Sequence, residues 1–245
     1  MRIVTFASES YFPGTRALIR SIIANAKLDR FEMLILTEGA ISDEAKRSIL
    51  EIKPDAQFIA RESLGEFKLS EKIAIPKANF RAALQKLLIF KLPDDGMRLY
   101  LDSDMICVGS LREAERWNHF TAPIVFGITL PGSINDRPMF SAGIFAFEAS
   151  SDLFDRLQAF ALMLSTVNMP DQDILNRYFS EHDPDAVHYV GIEWEMIKRV
   201  FRHHPQIWQA VKEKRMIHFV GRKPWELQQE PQYRELNKLW ERFAG

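Results

Sequence analysis

Two aspartates, Asp102 and Asp104, directly follow the apolar run 99–101, and this pairing constrains the chain more than any other stretch. A short apolar run with an aromatic residue is typical of a strand that is covered on both faces. Carboxylates at the end of such a strand are unfavourable unless their charge is compensated, and two of them so close together repel each other. A divalent cation accepts such oxygen ligands and keeps positions open for substrate phosphates. The stretch therefore predicts a metal site at a strand end, facing a phosphorylated ligand.

The same spacing recurs at Asp171/Asp173 and Asp183/Asp185, so the pattern alone is not specific. Asp183 and Asp185 flank a proline in a polar stretch, which favours a solvated turn. Asp171 and Asp173 fall on the first turn of a predicted helix, where the helix dipole favours acids, so capping is an alternative to chemistry there. The first pair differs because it follows a strand-like run.

Composition places this chain of 245 residues among ordinary globular proteins, with 47% hydrophobic and 27% charged residues and a net charge of −1. Residues 198–245 carry 11 Lys/Arg against 5 Asp/Glu, a net charge of +6, which suits an anionic partner or solvated helix faces. Cys107 is the only cysteine, which excludes an intrachain disulfide. Without a signal-peptide core or an apolar run of membrane-spanning length, we expect a soluble, cytoplasmic protein.

Strand-like and helix-like segments alternate along the chain, with a turn at 11–14 and a loop at 61–79. The alternation predicts a single α/β domain over 1–245, with a mainly parallel sheet flanked by helices on both faces. The predicted strands are 3–7, 31–36, 56–59, 97–101, 123–127, 143–147 and 216–220. The predicted helices are 15–26, 42–52, 80–90, 152–164, 171–179, 193–201, 207–214 and 232–243.

A strand followed by a tight basic turn places His218, Gly221 and Lys223 close together. Imidazole is a good ligand for several divalent metals, although a lone histidine after a strand is more often structural. Glycine would let the backbone approach a phosphate, and the lysine would supply a positive charge. The segment therefore has a phosphate-binding interpretation beside a purely structural one.

Two further segments carry side chains that could contact a ligand. Asp171 and Gln172 stand side by side and could hold sugar hydroxyls or stabilise a developing positive charge. Tyr11 lies in the loop after the first predicted strand, at the same end of a parallel sheet as Asp102. That loop is either a surface turn or a place where Tyr11 stacks on a base.

In their order along the chain, these segments resemble family 8 glycosyltransferases, which include glycogenin and bacterial lipooligosaccharide α-galactosyltransferases. The resemblance covers nearly the whole chain, and its specificity lies in the ordered combination rather than in one motif. The matching segments are 5–8 with Tyr11, Lys86, 100–104, 140–144, 171–176 and 218–225.

The resemblance implies a GT-A fold, a Rossmann-like single domain with a mainly parallel mixed sheet. It also implies a retaining transfer of a hexosyl group from a nucleotide-diphospho-sugar, a UDP-sugar in particular, to a hydroxyl acceptor. By the family pattern, Asp102, Asp104 and His218 would hold Mn²⁺ or Mg²⁺, while Asp171 and Gln172 would be the catalytic residues. The residues expected to contact the donor are Ala7, Ser8, Tyr11, Lys86, Asp102, Ser103, Ser141, Ala142, Gly221 and Lys223.

Two positions depart from the family pattern. Ser141 stands where members commonly have Asn, and its shorter side chain leaves the identity of the donor sugar open. The turn usually reads His-x-x-Gly-x-x-Lys-Pro-Trp, whereas one residue is missing here between Gly221 and Lys223. The shorter turn makes Arg222 an alternative to Lys223 as the phosphate contact.

The family analogy suggests a glycan or glycolipid acceptor, specifically a bacterial surface glycan such as lipopolysaccharide or capsule. No nucleic-acid partner is expected. The long basic, aromatic tail of some bacterial members is absent, so at most a weak, peripheral contact with the inner membrane is expected.

Three other protein classes are alternatives. Phosphatases of the haloacid dehalogenase type also place Asp-x-Asp after a strand, but usually near the N-terminus and with Thr or Val soon afterwards, whereas Met105 and Ile106 follow here. Nucleotidyltransferases of similar fold carry a Gly-rich basic signature near the N-terminus, which residues 8–14 do not supply. A non-catalytic binder of nucleotide-sugars would keep the same motifs, and turnover would distinguish it.

Overall fold

The computed structural model describes residues 1–73, 78–93, 96–129 and 137–245, which form a large mixed sheet, a small second sheet and packed helices. The strands are β1 (Arg2–Ser8), β2 (Glu32–Glu38), β3 (Gln57–Ala60), β4 (Met97–Leu101), β5 (Met105–Cys107), β6 (Phe120–Thr129), β7 (Pro138–Phe140), β8 (Ile144–Glu148), β9 (Val187–Val190), β10 (Met196–Ile197) and β11 (Met216–His218). The α-helices are α1 (Phe12–Asn25), α2 (Asp43–Leu50), α3 (Ala78–Gln85), α4 (Ser151–Met163), α5 (Pro170–His182), α6 (Lys198–His203), α7 (Pro205–Ala210) and α8 (Arg234–Ala244). Short 3₁₀ helices span Glu9–Tyr11, Arg61–Leu64, Lys86–Lys91, Arg112–Arg116, Ile192–Trp194 and Pro231–Tyr233.

The large sheet has the strand order β3-β2-β1-β4-β8-β6-β7, with β9 also paired to β6. Strands β1 to β4 pair parallel with one another, whereas β8 is antiparallel to both β4 and β6. The prediction of a mixed α/β sheet flanked by helices is confirmed. Since parallel strands end at one edge of the sheet, the end of β1 and the residues after β4 lie at the same edge.

Alternation along the strands divides the core into two layers. Val4 and Tyr100 lie in the cluster formed with α4 and α5, whereas Ile3 and Leu99 pack with α1 on the other side. Fully burying one such aliphatic or aromatic side chain contributes about 1.5–3 kcal/mol, so each layer stabilises the sheet strongly. Both layers hold β4 in place, and β4 carries Asp102 at its end.

The small sheet places the C-terminal part of the chain beside the two aspartates. Strand β11 pairs antiparallel with β5 and parallel with β10, and His218 lies opposite Met105. The outer side of this sheet is covered by a cluster that includes Trp240 of α8. The pairing brings His218 next to Asp104 although 114 positions separate them in the sequence.

The structure corrects several predicted elements. The helix predicted at 193–201 is wrong at residues 195–197, because pairing of β10 with β11 buries Met196 in extended backbone, whereas 193–194 belong to a 3₁₀ helix. The turn predicted at 11–14 is wrong as well: α1 begins at Phe12, since Pro13 tolerates the first helical turn, where its missing N–H is no loss. Strands β5, β7 and β9 were not predicted. Residues 74–77, part of the predicted loop, lie outside the described residues.

Local capping follows the sequence where the side chains are short and polar. The Ser42 hydroxyl accepts a hydrogen bond from the Ala45 N–H at 3.1 Å and so caps α2. Among the helices that the structure describes, none combines the length and the apolar character that crossing a membrane requires.

Candidate active site

Asp102, Asp104 and His218 converge at the C-terminal edge of the large sheet. One ligand atom from each of the three lies within 4.8 Å of the others. Nε2 of His218 is 3.0 Å from Asp104 Oδ1 and 3.8 Å from Asp102 Oδ2. Two carboxylates and an imidazole form a donor set that suits a divalent cation with oxygen and nitrogen ligands. The three predicted metal ligands therefore meet, and their chemistry fits a cation.

Lys86 lies between Asp102, a predicted metal ligand, and Asp171, the predicted catalytic acid. Its Nζ lies 3.1 Å from Asp102 Oδ1 and 2.6 Å from Asp171 Oδ2, and it donates a hydrogen bond of 2.8 Å to the Ala142 carbonyl. Burial alone would lower the pKa of Lys86, but the negative charges of Asp102 and Asp171 outweigh burial and raise it above its usual range. Lys86 is therefore a charged group in the centre of the site.

Lys223 supplies a second positive charge at the other end of the aspartate pair. Its ammonium group donates to Asp104 Oδ2 and lies 5.5 Å from the centre of the Tyr11 ring. The guanidinium of Arg222 instead donates to Gln228 Oε1 at 2.6 Å, and Arg222 is exposed. Of these two basic residues of the turn, Lys223 is thus the one that faces the aspartates.

The turn that carries Lys223 is closed by an aromatic contact with the first loop. The rings of Tyr11 and Trp225 meet edge to face, with their centres 5.8 Å apart, and the indole N–H of Trp225 donates to the Ser10 carbonyl at 3.1 Å. Gly221 has a φ of +78°, a left-handed conformation that favours glycine. The loop after β1 and the basic turn therefore form one wall of the site.

The two aspartates have different electrostatic environments. The Tyr100 hydroxyl donates to Asp102 Oδ1 at 2.7 Å, and burial raises the pKa of Asp102 above its ordinary value. Burial acts in the same direction on Asp104, but the positive charges of His218 and Lys223 outweigh it and hold the pKa of Asp104 well below its usual range. Asp104 is consequently the more strongly ionised of the two.

His218 has a second carboxylate partner, Glu195, which was not among the predicted site residues. Nδ1 of His218 lies 2.5 Å from Glu195 Oε1. Burial alone would lower the pKa of His218, but Asp104 and Glu195 raise it to about 10. In the sequence, Glu195 could have been noticed as a single acid inside the apolar run 194–197. Such an acid is expected to be buried, and a buried carboxylate needs a partner.

Two polar side chains of α5 reach the end of β7 and the loop between β7 and β8. Gln172 Oε1 accepts a hydrogen bond of 3.3 Å from the Ala142 N–H. Asn176 accepts from the Phe140 N–H at 2.8 Å and donates to the Phe140 carbonyl at 2.9 Å. These bonds fix α5 against the loop, so the predicted residues Ala142 and Gln172 are in direct contact.

The other residues predicted to contact the donor sugar nucleotide differ in their exposure and in the atoms that a ligand could reach. The Ser141 hydroxyl accepts from the Gly143 N–H at 3.0 Å and is thus engaged by its own loop. Ser8 is partly exposed, and its hydroxyl oxygen lies 3.2 Å from that of Ser10. Ser103 is buried. The side chain of Ala7 is buried in the core beside α1, so a ligand could contact only its backbone.

No protein-family model matches the chain, but curated relatives do. Mouse glycogenin-1 is 22% identical over 240 residues, which cover 94% of this chain and 66% of the relative. Inositol phosphorylceramide glucuronosyltransferase 1 of Arabidopsis thaliana is 23% identical over 190 residues, covering 78% of this chain and 32% of the relative. The putative UDP-glucuronate:xylan alpha-glucuronosyltransferase 5 of the same plant is 23% identical and covered to 37%. The chain thus spans from a third to just under two thirds of these relatives' lengths.

Solved structures of glycosyltransferases share the fold. The galactosyltransferase LgtC, in complex with donor and acceptor sugar analogs, superposes with a TM-score of 0.69 at 18% identity, covering 100% of this chain and 95% of LgtC. The bifunctional WbbM gives 0.70 at 20% identity, covering 92% and 47%. GlyE of Streptococcus pneumoniae gives 0.69 at 14% identity, covering 99% and 59%. The GT-A fold and the resemblance to family 8 glycosyltransferases are confirmed.

Proposed function

We propose that this chain is a metal-dependent glycosyltransferase that moves a hexosyl group from a UDP-sugar to a hydroxyl acceptor with retention at the anomeric carbon. The observation that carries the proposal is the convergence of Asp102, Asp104 and His218 at the carboxyl edge of a GT-A sheet, with two lysines beside them. Open α/β sheets bind their ligands at this edge. The fold likeness and the glycosyltransferase relatives support the same class of activity.

The carboxylates of Asp102 and Asp104 and Nε2 of His218 would hold the cation, Mn²⁺ or Mg²⁺. When bound, the cation would neutralise the negative charge that develops on the diphosphate as the sugar–phosphate bond breaks. Lys223 faces the same position and would add a positive charge to the leaving group. A diphosphate placed there would meet positive groups on two sides.

The sugar ring would lie over the start of α5. Its anomeric carbon gains positive charge as the leaving group departs, and the Asp171 carboxylate and the Gln172 amide oxygen would stabilise that charge. Lys86 holds the Asp171 carboxylate at 2.6 Å and so keeps it oriented. The acceptor hydroxyl would pass its proton to the departing phosphate, so that no separate base is required. Tyr11 and Ser8 would contact the nucleoside.

The test is UDP release from a panel of UDP-sugars with Mn²⁺ and no acceptor. Enzymes of this kind slowly transfer the donor sugar to water, so the acceptor need not be known. We expect release with one preferred sugar, reduced at least about 100-fold in Asp104→Ala, since the cation loses a ligand and the leaving group loses its stabilisation.

Asp185→Ala is the matched control. It also removes the second acid of an Asp-x-Asp pair, but the side chain of Asp185 is 94% exposed.

Three outcomes separate the alternatives. Metal-dependent release that is lost in Asp104→Ala and kept in Asp185→Ala supports the proposal. UDP binding that needs Mn²⁺ but gives no turnover with donor and a broad acceptor set indicates a non-catalytic binder. Absence of UDP binding would contradict the glycosyltransferase assignment.

A bacterial surface glycan as the acceptor stays a prediction. An acceptor screen that finds transfer only to protein or glycogen primers would overturn it.

A further inference from the structure

We propose that Glu195 is a positioning residue for His218, an inference that rests on the cation site of the proposed function. Glu195 lies directly before β10, and its side chain is 3% exposed. Its Oε1 atom is 2.5 Å from Nδ1 of His218, on the side of the ring opposite the aspartates. A carboxylate this buried is unfavourable unless a partner compensates its charge, and His218 is that partner.

The hydrogen bond determines which ring nitrogen of His218 is available to a cation. An ionised carboxylate can only accept, so the proton between the two residues belongs to Nδ1. When the other nitrogen gives up its proton, the lone pair is on Nε2. Nε2 is the atom that faces Asp104, at 3.0 Å. Glu195 therefore selects the tautomer and the ring orientation that complete the ligand set.

The backbone of Gly143 packs directly against this pair. A β carbon at residue 143 would lie 2.6 Å from Glu195 Oε1 and 2.9 Å from two ring atoms of His218, so only glycine fits beside them. The Gly143 carbonyl also accepts a hydrogen bond of 2.8 Å from the Asp102 N–H. One stretch of backbone thus fixes the carboxylate, the imidazole and the first aspartate relative to each other.

The register of the small sheet explains how Glu195 reaches the ring. Strand β10 runs parallel to β11, with Ile197 beside His218 and Met196 beside Ile217. Glu195 directly precedes this pairing, and its side chain reaches Nδ1 of His218. Carboxylates that accept from a ligating histidine typically strengthen metal binding by about 10- to 100-fold. A purely structural pair would change the stability of the fold and leave cation affinity unaltered.

The experiment measures Mn²⁺ affinity directly, by electron paramagnetic resonance of the free ion, without any sugar nucleotide. We expect Glu195→Ala to weaken binding about 10- to 100-fold. Glu195→Gln should weaken it less, because its amide oxygen can still accept the Nδ1 proton. Glu193→Gln is the matched control: it changes the same residue type two positions earlier, in a partly exposed side chain, and should bind as the wild type does.

A spectroscopic readout tests the tautomer itself. In the Mg²⁺-loaded protein, ¹⁵N shifts of His218, assigned by their loss in His218→Asn, should report a proton on Nδ1, and Glu195→Ala should show a mixture of forms. Circular dichroism establishes that each variant is folded, and if Glu195→Ala does not fold, Glu195→Gln provides the test. Wild-type affinity and shifts in a folded variant would overturn the positioning role alone. A wild type that binds neither Mn²⁺ nor Mg²⁺ would overturn the cation site of the proposed function as well.

Discussion

Asp171 and Asp173 lie two positions apart on the first turn of α5 and have different partners. Asp173 Oδ2 accepts from the backbone N–H groups of Asn168, at 2.7 Å, and Met169, at 3.2 Å. It therefore satisfies donors at the entrance of the helix, where an anion is also favoured by the helix dipole. Asp171 pairs instead with Lys86. Helix capping thus accounts for Asp173, whereas Asp171 is directed at the site.

Cys107 offers a residue-specific test of how tightly β5 is buried. Burial raises the pKa of its thiol to about 12, and the thiolate is the form that reacts. We expect alkylation of the folded protein by iodoacetamide to be very slow at pH 8 and to rise about tenfold per pH unit up to pH 11, because the thiolate fraction does so below the pKa. The measurement is labelling rate against pH by mass spectrometry.

The control for Cys107 is the same chain unfolded in urea. An exposed thiol has a pKa of about 8.5, so its labelling rate should level off above roughly pH 9. A folded-state rate that also levels off there would contradict the burial of Cys107.

Two buried charges of opposite sign lie behind the site, Glu195 just before β10 and Lys198 at the start of α6. Glu195 contacts Nδ1 of His218. Lys198, which begins α6 and is 3% exposed, donates to the Arg222 carbonyl at 2.5 Å and pairs with Glu230 at 2.7 Å. Its ammonium group also lies 4.7 Å from the centre of the Tyr233 ring. Lys198 therefore supports the shortened basic turn from the inside.

Replacing Lys198 by methionine should loosen this turn. The variant Lys198→Met keeps most of the side-chain volume but removes the donor that the Arg222 carbonyl and Glu230 Oε2 share. We expect the free energy of unfolding in urea to fall by about 1–3 kcal/mol. Lys212→Met, at an exposed position, is the control and should change it by less than about 0.5 kcal/mol. Equal stability of the two variants would show that the Lys198 contacts contribute nothing.

Considered as a whole, the molecule shows what local pattern can and cannot specify. Asp102 and Asp104 were predictable because a strand and the acids that end it are adjacent in sequence. The role of Glu195 was not predictable, because it depends on pairing between β10 and β11, which no property of residues 193–201 determines by itself. Helix-like spacing in that segment competed with tertiary pairing, and the pairing prevailed. The single domain over 1–245 stays a prediction.

The proposed cation site joins parts of both sheets, so cation binding should stabilise the entire fold. Asp102 directly follows β4 of the large sheet, whereas His218 ends β11 of the small one. A ligand that binds only the folded state at 100 times its dissociation constant adds about 2.7 kcal/mol. We expect the melting temperature of the wild type, followed by circular dichroism, to rise with Mn²⁺, and that of Asp104→Ala to rise far less. Equal rises would place the bound ion elsewhere.

The pairing of β5 with β11 also has a consequence for biosynthesis. The acids are made early, but their histidine belongs to a strand whose partner lies more than 100 positions upstream. Chains emerge from the ribosome N-terminal end first, and contacts between distant segments form late. A nascent chain that stops short of β11 would therefore carry an incomplete set of the proposed ligands. Competence to hold a metal and a sugar nucleotide would arise only after residue 218 has been made and β11 has docked.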